Sequence, residues 1–143
     1  RYRIHANSLD VATGGYRLTL LEAAPPAQKA ARARIEAGQE VRGRLDERDA
    51  LLDEAYYEYW IYSGHAGERL VIRMKARFDT YLGIGRLEQE RFDELQANDD
   101  APDGTTDSEL SLTLPVDGPY AIRATSAEPA ATGDYTLSVT RRR

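Results

Sequence analysis

Residues 56–82, YYEYWIYSGHAGERLVIRMKARFDTYL, decide how the chain is to be read. Two runs alternate with period two on either side of a glycine-bearing turn. Glu58, Trp60 and Tyr62 share one parity in the first; Leu70, Ile72 and Met74 share one in the second, with Arg69, Arg73 and Lys75 on the other. Such alternation marks half-buried strands. Gly64 and Gly67 supply two positions free to adopt φ > 0, so the second run is expected to fold back beside the first as a hairpin of an antiparallel sheet.

Working outward, the 143 residues suit one core of ordinary size. The chain has no cysteine, which excludes a disulfide framework, a thiolate metal site and a cysteine nucleophile. A net charge of −5 argues against a nucleic-acid partner, whose binding rests on Lys and Arg neutralising phosphates. No apolar run of membrane-spanning length occurs, and no membrane partner is expected. Because the chain opens on Arg1 within a strand-like run and shows no leader, it reads as a piece of a longer protein.

A pattern near the N-terminus returns near the C-terminus. Tyr2-x-Ile4-x-Ala6-x-Ser8, a turn at Thr13-Gly14 and Tyr16-x-Leu18 are matched by Tyr120-x-Ile122-x-Ala124-x-Ser126, Thr132-Gly133 and Tyr135-x-Leu137. Residues 1–20 therefore read as the closing hairpin of a preceding repeat, and Tyr120–Val139 as the closing hairpin of a complete unit. Pro25 and Pro26 with the Ala-rich run after them make 21–37 a linker, and 38–140 the complete domain. Within it Val41, Gly43 and Leu45 begin a strand, Asp46–Ala55 is a polar loop, and Glu109–Leu114 is another strand. Gly83 and Gly85 leave one strand face bare, which invites a close approach. The expected fold is all-β: an antiparallel, jelly-roll-like β-sandwich of about eight short strands.

Several short motifs, in order, carry a family resemblance: Gly43-Arg44-Leu45, Glu58-x-Trp60-x-Tyr62, Gly64-x-Ala66-Gly67-Glu68, Phe78-Asp79-x-Tyr81-Leu82, Asn98-Asp99-Asp100, Leu114-Pro115-x-x-Gly118-x-Tyr120 and Thr132-Gly133-x-Tyr135-x-Leu137. Over about Ile35 to Val139 the chain resembles the bacterial pre-peptidase C-terminal domain. It departs where the family's F-D-P-Y-L has Thr80 for proline, and at Gly85, where a bulky residue is common. The resemblance implies a small non-catalytic β-sandwich accompanying the catalytic domain of a secreted or periplasmic peptidase. It is similar to collagenase collagen-binding domains, which bind calcium and an insoluble protein. Expected partners are thus the parent catalytic domain and an insoluble protein or polysaccharide, and the N-terminal hairpin is expected to pair with another chain or repeat.

The residues themselves offer two candidate sites. Asp99, Asp100 and Asp103, joined by Asp79, present hard oxygens of the kind calcium prefers, although the spacing is not that of an EF-hand. The same loop reads equally as a solvated stretch of Asx-type turns. Tyr57 and Tyr59 fall on the parity opposite Trp60 and Tyr62, which makes them the surface candidates for holding a ligand. Catalytic equipment is sparse: the only histidines are His5 and His65, and neither H-E-x-x-H nor G-x-S-x-G occurs. The function read from the sequence is a non-catalytic accessory module of a secreted peptidase that binds protein or another polymer. The alternative is a calcium-stabilised spacer that assists export or maturation.

Overall fold

The computed structural model describes residues 14–15, 32–89, 91–101 and 103–142. The hairpin expected over 1–20, apart from Gly14 and Gly15, and most of the linker lie outside the described residues. Ten strands follow in order: β1 Arg32–Arg34, β2 Glu40–Leu45, β3 Ala50–Leu52, β4 Ala55–Gly64, β5 Arg69–Ala76, β6 Thr80–Glu88, β7 Arg91–Asn98, β8 Ser108–Thr113, β9 Gly118–Ser126 and β10 Gly133–Arg142. They form a six-stranded sheet, β1-β4-β9-β6-β7 with β3 beside β4, and a four-stranded sheet, β2-β10-β5-β8. Among the described residues there is no helix. The all-β sandwich expected from the sequence is therefore present, with ten strands in place of eight.

Two of the extra strands lie where the sequence reads as connection. β1 falls inside the stretch taken as linker, and pairs parallel with β4 through Arg32↔Tyr59 and Arg34↔Ile61. Ile35, which follows it, is 2% exposed and joins the core. β3 interrupts the polar loop 46–55 and forms a tight hairpin with β4. At its tip Asp53 and Glu54 have φ of 49° and 70°, the left-handed pair whose twist suits a two-residue hairpin turn.

The hairpin expected across Gly64–Gly67 does not form. β4 pairs with β9 in one sheet and β5 with β10 and β8 in the other, so the turn carries the chain across the sandwich. The reason lies in the apolar faces. Tyr62 on β4 and Leu70, Ile72 and Met74 on β5 belong to one core, and crossing sets them opposite each other with water excluded from both sides. The corner is fastened at several points. Gly67, at φ 86°, donates its amide to the Leu114 carbonyl at 2.8 Å, and the Leu114 amide returns to Glu68 at 2.9 Å. The Glu68 carboxylate accepts the His65 amide and the Tyr62 hydroxyl and pairs with Arg141 at 2.8 Å. β9 and β10, expected as the closing hairpin, likewise lie in different sheets, with Tyr120 and Tyr135 fully buried between them.

Close packing is set by glycines at two points. Gly43 lies opposite Tyr135, and a Cβ there would stand 2.2 Å from the ring. The Tyr135 hydroxyl, held in that space, donates to Glu58 at 2.9 Å and accepts from the Trp60 indole at 2.7 Å. At Gly85, beside the β-bulge of the β6–β7 pair, a Cβ would stand 2.1 Å from the Asp93 carbonyl oxygen. Gly43→Ala and Gly85→Ala are each expected to lower unfolding free energy by ~2 kcal/mol or more, because backbone or a packed ring must move. Gly83→Ala, whose Cβ meets the movable Glu94 carboxylate at 3.3 Å, should cost about 1 kcal/mol or less. Denaturant midpoints of the three variants check this ordering.

Candidate functional site

The outer face of the six-stranded sheet is built from one parity of four strands. Tyr57 and Tyr59 of β4, Arg123 and Thr125 of β9, Tyr81 and Gly83 of β6, and Phe92 and Glu94 of β7 all point away from the core. Register brings Tyr59, Arg123 and Gly83 into one row across neighbouring strands. Gly83 has no side chain to fill its place, so Phe92 and Glu94 lean over it, at 3.8 and 3.3 Å from where its Cβ would be. Arg123 is gripped between them. Its guanidinium lies 4.7 Å from the centre of the Phe92 ring and donates to Glu94 at 2.9 Å. Tyr59 packs against Phe92 at 5.4 Å and edge-on to Tyr57 at 5.3 Å. Burial pushes the Tyr59 phenol up from its ordinary range, Tyr57 adds to this, and Arg123 and Arg32 oppose it.

Beside this cluster the sheet opens into a cleft of about 420 Å³. Arg123 and Thr125 line it from β9, Tyr81 from β6 and Leu52 and Asp53 from the β3–β4 turn, with Asp99 across from them. The Thr125 hydroxyl is spent on the Tyr56 carbonyl at 2.7 Å, whereas the Arg123 Nε is buried without a hydrogen-bond partner. Leu51 and Leu52 next to the cleft, and Leu95 on β7, are about half exposed. Rings, a guanidinium and exposed leucines equip this face for contact, and among the described residues no histidine lines the cleft.

Tyr57 and Tyr59, the expected surface residues, both lie here. Tyr57 is half-buried and accessible, while Tyr59 is covered by its neighbours to 7% exposure. Phe92, Glu94 and Arg123 were not singled out in the sequence, whereas Tyr81 was, in the motif Phe78-Asp79-x-Tyr81-Leu82. The signal for Arg123 was present, since it stands at outward parity between the core positions Ile122 and Ala124.

The expected calcium residues are not brought together. Asp99 lines the cleft, while Asp100 and Asp103 are exposed in the loop that leads to β8. The Asp103 carboxylate accepts the Thr105 hydroxyl at 2.8 Å and amide at 3.2 Å, bonds that hold it below the usual carboxylate range. Asn98 accepts the Asp100 amide and donates to the Asp100 and Glu109 carbonyls. At Asp79 the backbone carbonyl serves the loop instead, accepting Ala127 and Ser126. Among the described residues no three His, Cys, Asp or Glu side chains stand close enough to hold a metal. As folded, the Asn98 and Asp103 side chains are spent on Asx-type turns. Millimolar calcium is accordingly expected to leave the thermal midpoint where a chelator leaves it, whereas a native-state site would raise it by mass action.

Away from this face, Glu58 points to the inner side of β4, where it accepts the Tyr135 hydroxyl. Burial pushes the Glu58 carboxyl up, the Tyr135 hydrogen bond opposes this, and Asp49 and Asp46 raise it further. A carboxyl whose folded value is raised holds its proton more tightly in the folded chain. Its contribution to stability is thus lost as pH rises from the ordinary glutamate value, about 4.3, through the folded one. Wild type is expected to lose stability relative to Glu58→Gln between about pH 4 and 7, as read from paired denaturation curves across that range.

Comparison with known proteins bears on the fold. No family model matches the chain, and no curated protein matches it in sequence. Solved structures do. The pre-peptidase C-terminal domain of a collagenase from Bacillus anthracis superposes with a TM-score of 0.60 at 12% identity, over 79% of this chain and 98% of that one. In fold, the chain is similar to that domain. It is similar also to PliG of Aeromonas hydrophila, a periplasmic lysozyme inhibitor of g-type lysozyme, with a TM-score of 0.57 at 10% identity over 79% of this chain and 99% of the other. At these identities the likeness is one of architecture, and a shared sandwich does not fix a shared ligand.

Proposed function

We propose that the chain is a non-catalytic accessory module of an exported bacterial peptidase, and that it holds a protein surface against the outer face of its six-stranded sheet. The observation that carries this reading is the Tyr57–Tyr59–Phe92 stack with Arg123 laid across it. Aromatic rings and arginine are the side chains that most often anchor protein contacts, and here they are preassembled next to a cleft. Exposed Leu51, Leu52 and Leu95 extend the apolar part of the face. The likeness to a collagenase accessory domain supports the setting, a module working beside a peptidase outside the cytoplasm. The likeness to a lysozyme inhibitor shows that the same architecture also serves proteins that act on an enzyme.

The test is co-sedimentation of the whole chain with insoluble collagen and elastin, in calcium and in chelator. Binding to one of them is expected, with a reduction of about tenfold in Tyr57→Ala and Leu52→Asp, whose half-buried and exposed side chains lie outside the core. No sedimentation with either protein, or binding indifferent to both substitutions, would overturn the reading and favour a spacer that assists export or maturation.

A further inference from the structure

The outer face of the other sheet has a different character. It is basic, on a chain whose net charge is −5. β10 runs down its middle and presents Thr136, Ser138 and Thr140 outward, all short hydroxyl side chains. Its two neighbours raise long cations on either side of Thr136, while further along Glu40 of β2 and Arg73 of β5 flank Ser138. Register places Arg42 of β2 and Lys75 of β5 directly across Thr136 from each other. Adjacent strands are ~4.8 Å apart, so the two stems bound a trough about 10 Å wide. Arg77 joins them in lining a depression of about 480 Å³ around Thr136. Arg142 and Ser138 line a second depression, of about 270 Å³, toward the other end of β10.

The charges on this face are incompletely matched. Arg73 is taken by Glu109, and Arg44 by Asp134 at 3.2 Å. Asp107 and Asp134 border the first depression. Among the described residues, no hydrogen bond or ion pair holds Arg42, Arg69, Lys75, Arg77 or Arg142. Arg69 and Arg142 stand directly opposite each other on paired strands. Like charges so placed weaken a sheet, and among the described residues no ion pair holds either guanidinium. A rule of local stability broken without compensation in the fold points to a use for the charge.

We infer that this face binds an acidic polysaccharide, a carboxylated or sulfated glycan lying along β10. Charge complementarity selects an anion, and the length of the trough selects a polymer. From Thr136 to Arg142 the strand advances six residues, about 20 Å at ~3.3 Å each, with cations at both ends. The hydroxyl floor selects sugar over an acidic peptide. Thr136, Ser138 and Thr140 offer hydrogen bonds to ring hydroxyls, while among the described residues lining the two depressions the large hydrophobic side chains are Val71 and Tyr135, the latter turned into the core at 1% exposure. The surface lies on the opposite side of the sandwich from the aromatic face, so the two can act independently.

The test is affinity electrophoresis and calorimetry of the whole chain against alginate, heparin, neutral dextran and poly-glutamate at 50 and 200 mM salt. Binding is expected to alginate or heparin and not to dextran, weakening about tenfold or more between the two salts. The variant carrying Arg42→Gln, Lys75→Gln and Arg77→Gln should lose at least tenfold, with an unchanged melting curve because all three side chains are exposed. Arg48→Gln, an exposed cation in the β2–β3 connection, should leave binding unaltered. Failure to bind either anionic glycan at 50 mM salt would overturn the inference. So would binding indifferent to the triple substitution, or poly-glutamate binding as tight as that of the glycans. Tyr57→Ala should not affect glycan binding, which separates failure here from failure of the protein-binding reading.

Discussion

The long strands β4, β5, β6, β9 and β10 each have one face that must be kept from water, and each sheet supplies the cover for the other. This constraint explains the path of the chain. At Gly64–Glu68, and again between β9 and β10, the chain crosses to the opposite sheet, because crossing puts Tyr62 over Leu70 and sets Tyr120 and Tyr135 in one core. The Glu68 carboxylate holds the first crossing. Burial pushes this group up, and the His65 amide, the Tyr62 hydroxyl and the positive charge of Arg141 outweigh that, so it stays below the usual range. One side chain thus ties β4, the corner and β10 together.

The same constraint determines what could be read in advance. Parity is a local property, so the inward set Trp60, Tyr62, Leu70, Ile72 and Met74 was legible from alternation alone. Pairing is not local. Two alternating runs joined by a short glycine turn satisfy the pattern of a hairpin and that of an arch between sheets equally well, and the choice depends on distant strands. β1 was hidden for a related reason. Arg32-Ala33-Arg34 has no apolar alternation, being exposed along its length, and is a strand only because the edge of β4 is there to receive it. β3 was hidden by its charged neighbours, and its turn uses Asp53 and Glu54 where a glycine would have announced it.

The two outer faces differ in legibility too. Tyr57 and Tyr59 could be placed outward by parity, but the partners of Tyr59, Phe92 and Arg123, come from strands 33 and 64 residues further on: Arg123 meets it by register, and Phe92 lies over the bare surface of Gly83. The basic face escaped notice because net charge averages over the molecule. Arg42 and Lys75 are far apart in sequence, and only the register of β2, β10 and β5 sets them across one trough. Sheet register, rather than any run of residues, is what concentrates charge here.

The internal repeat can be weighed in the same terms. Apart from turn residues such as Thr132 and Gly133, the residues that Tyr2–Leu20 shares with Tyr120–Val139 are those whose C-terminal counterparts face inward: Tyr120, Ile122, Ala124 and Ser126 on β9, Tyr135 and Leu137 on β10. At the outward positions the two stretches part. His5 stands where Arg123 grips Phe92, Asn7 where Thr125 lines the cleft, and Arg17 where Thr136 floors the basic trough. Such a pattern preserves what a sandwich core requires and leaves both surfaces free to differ. The similarity between the two stretches therefore gives no ground for assigning either binding face to residues 2–20.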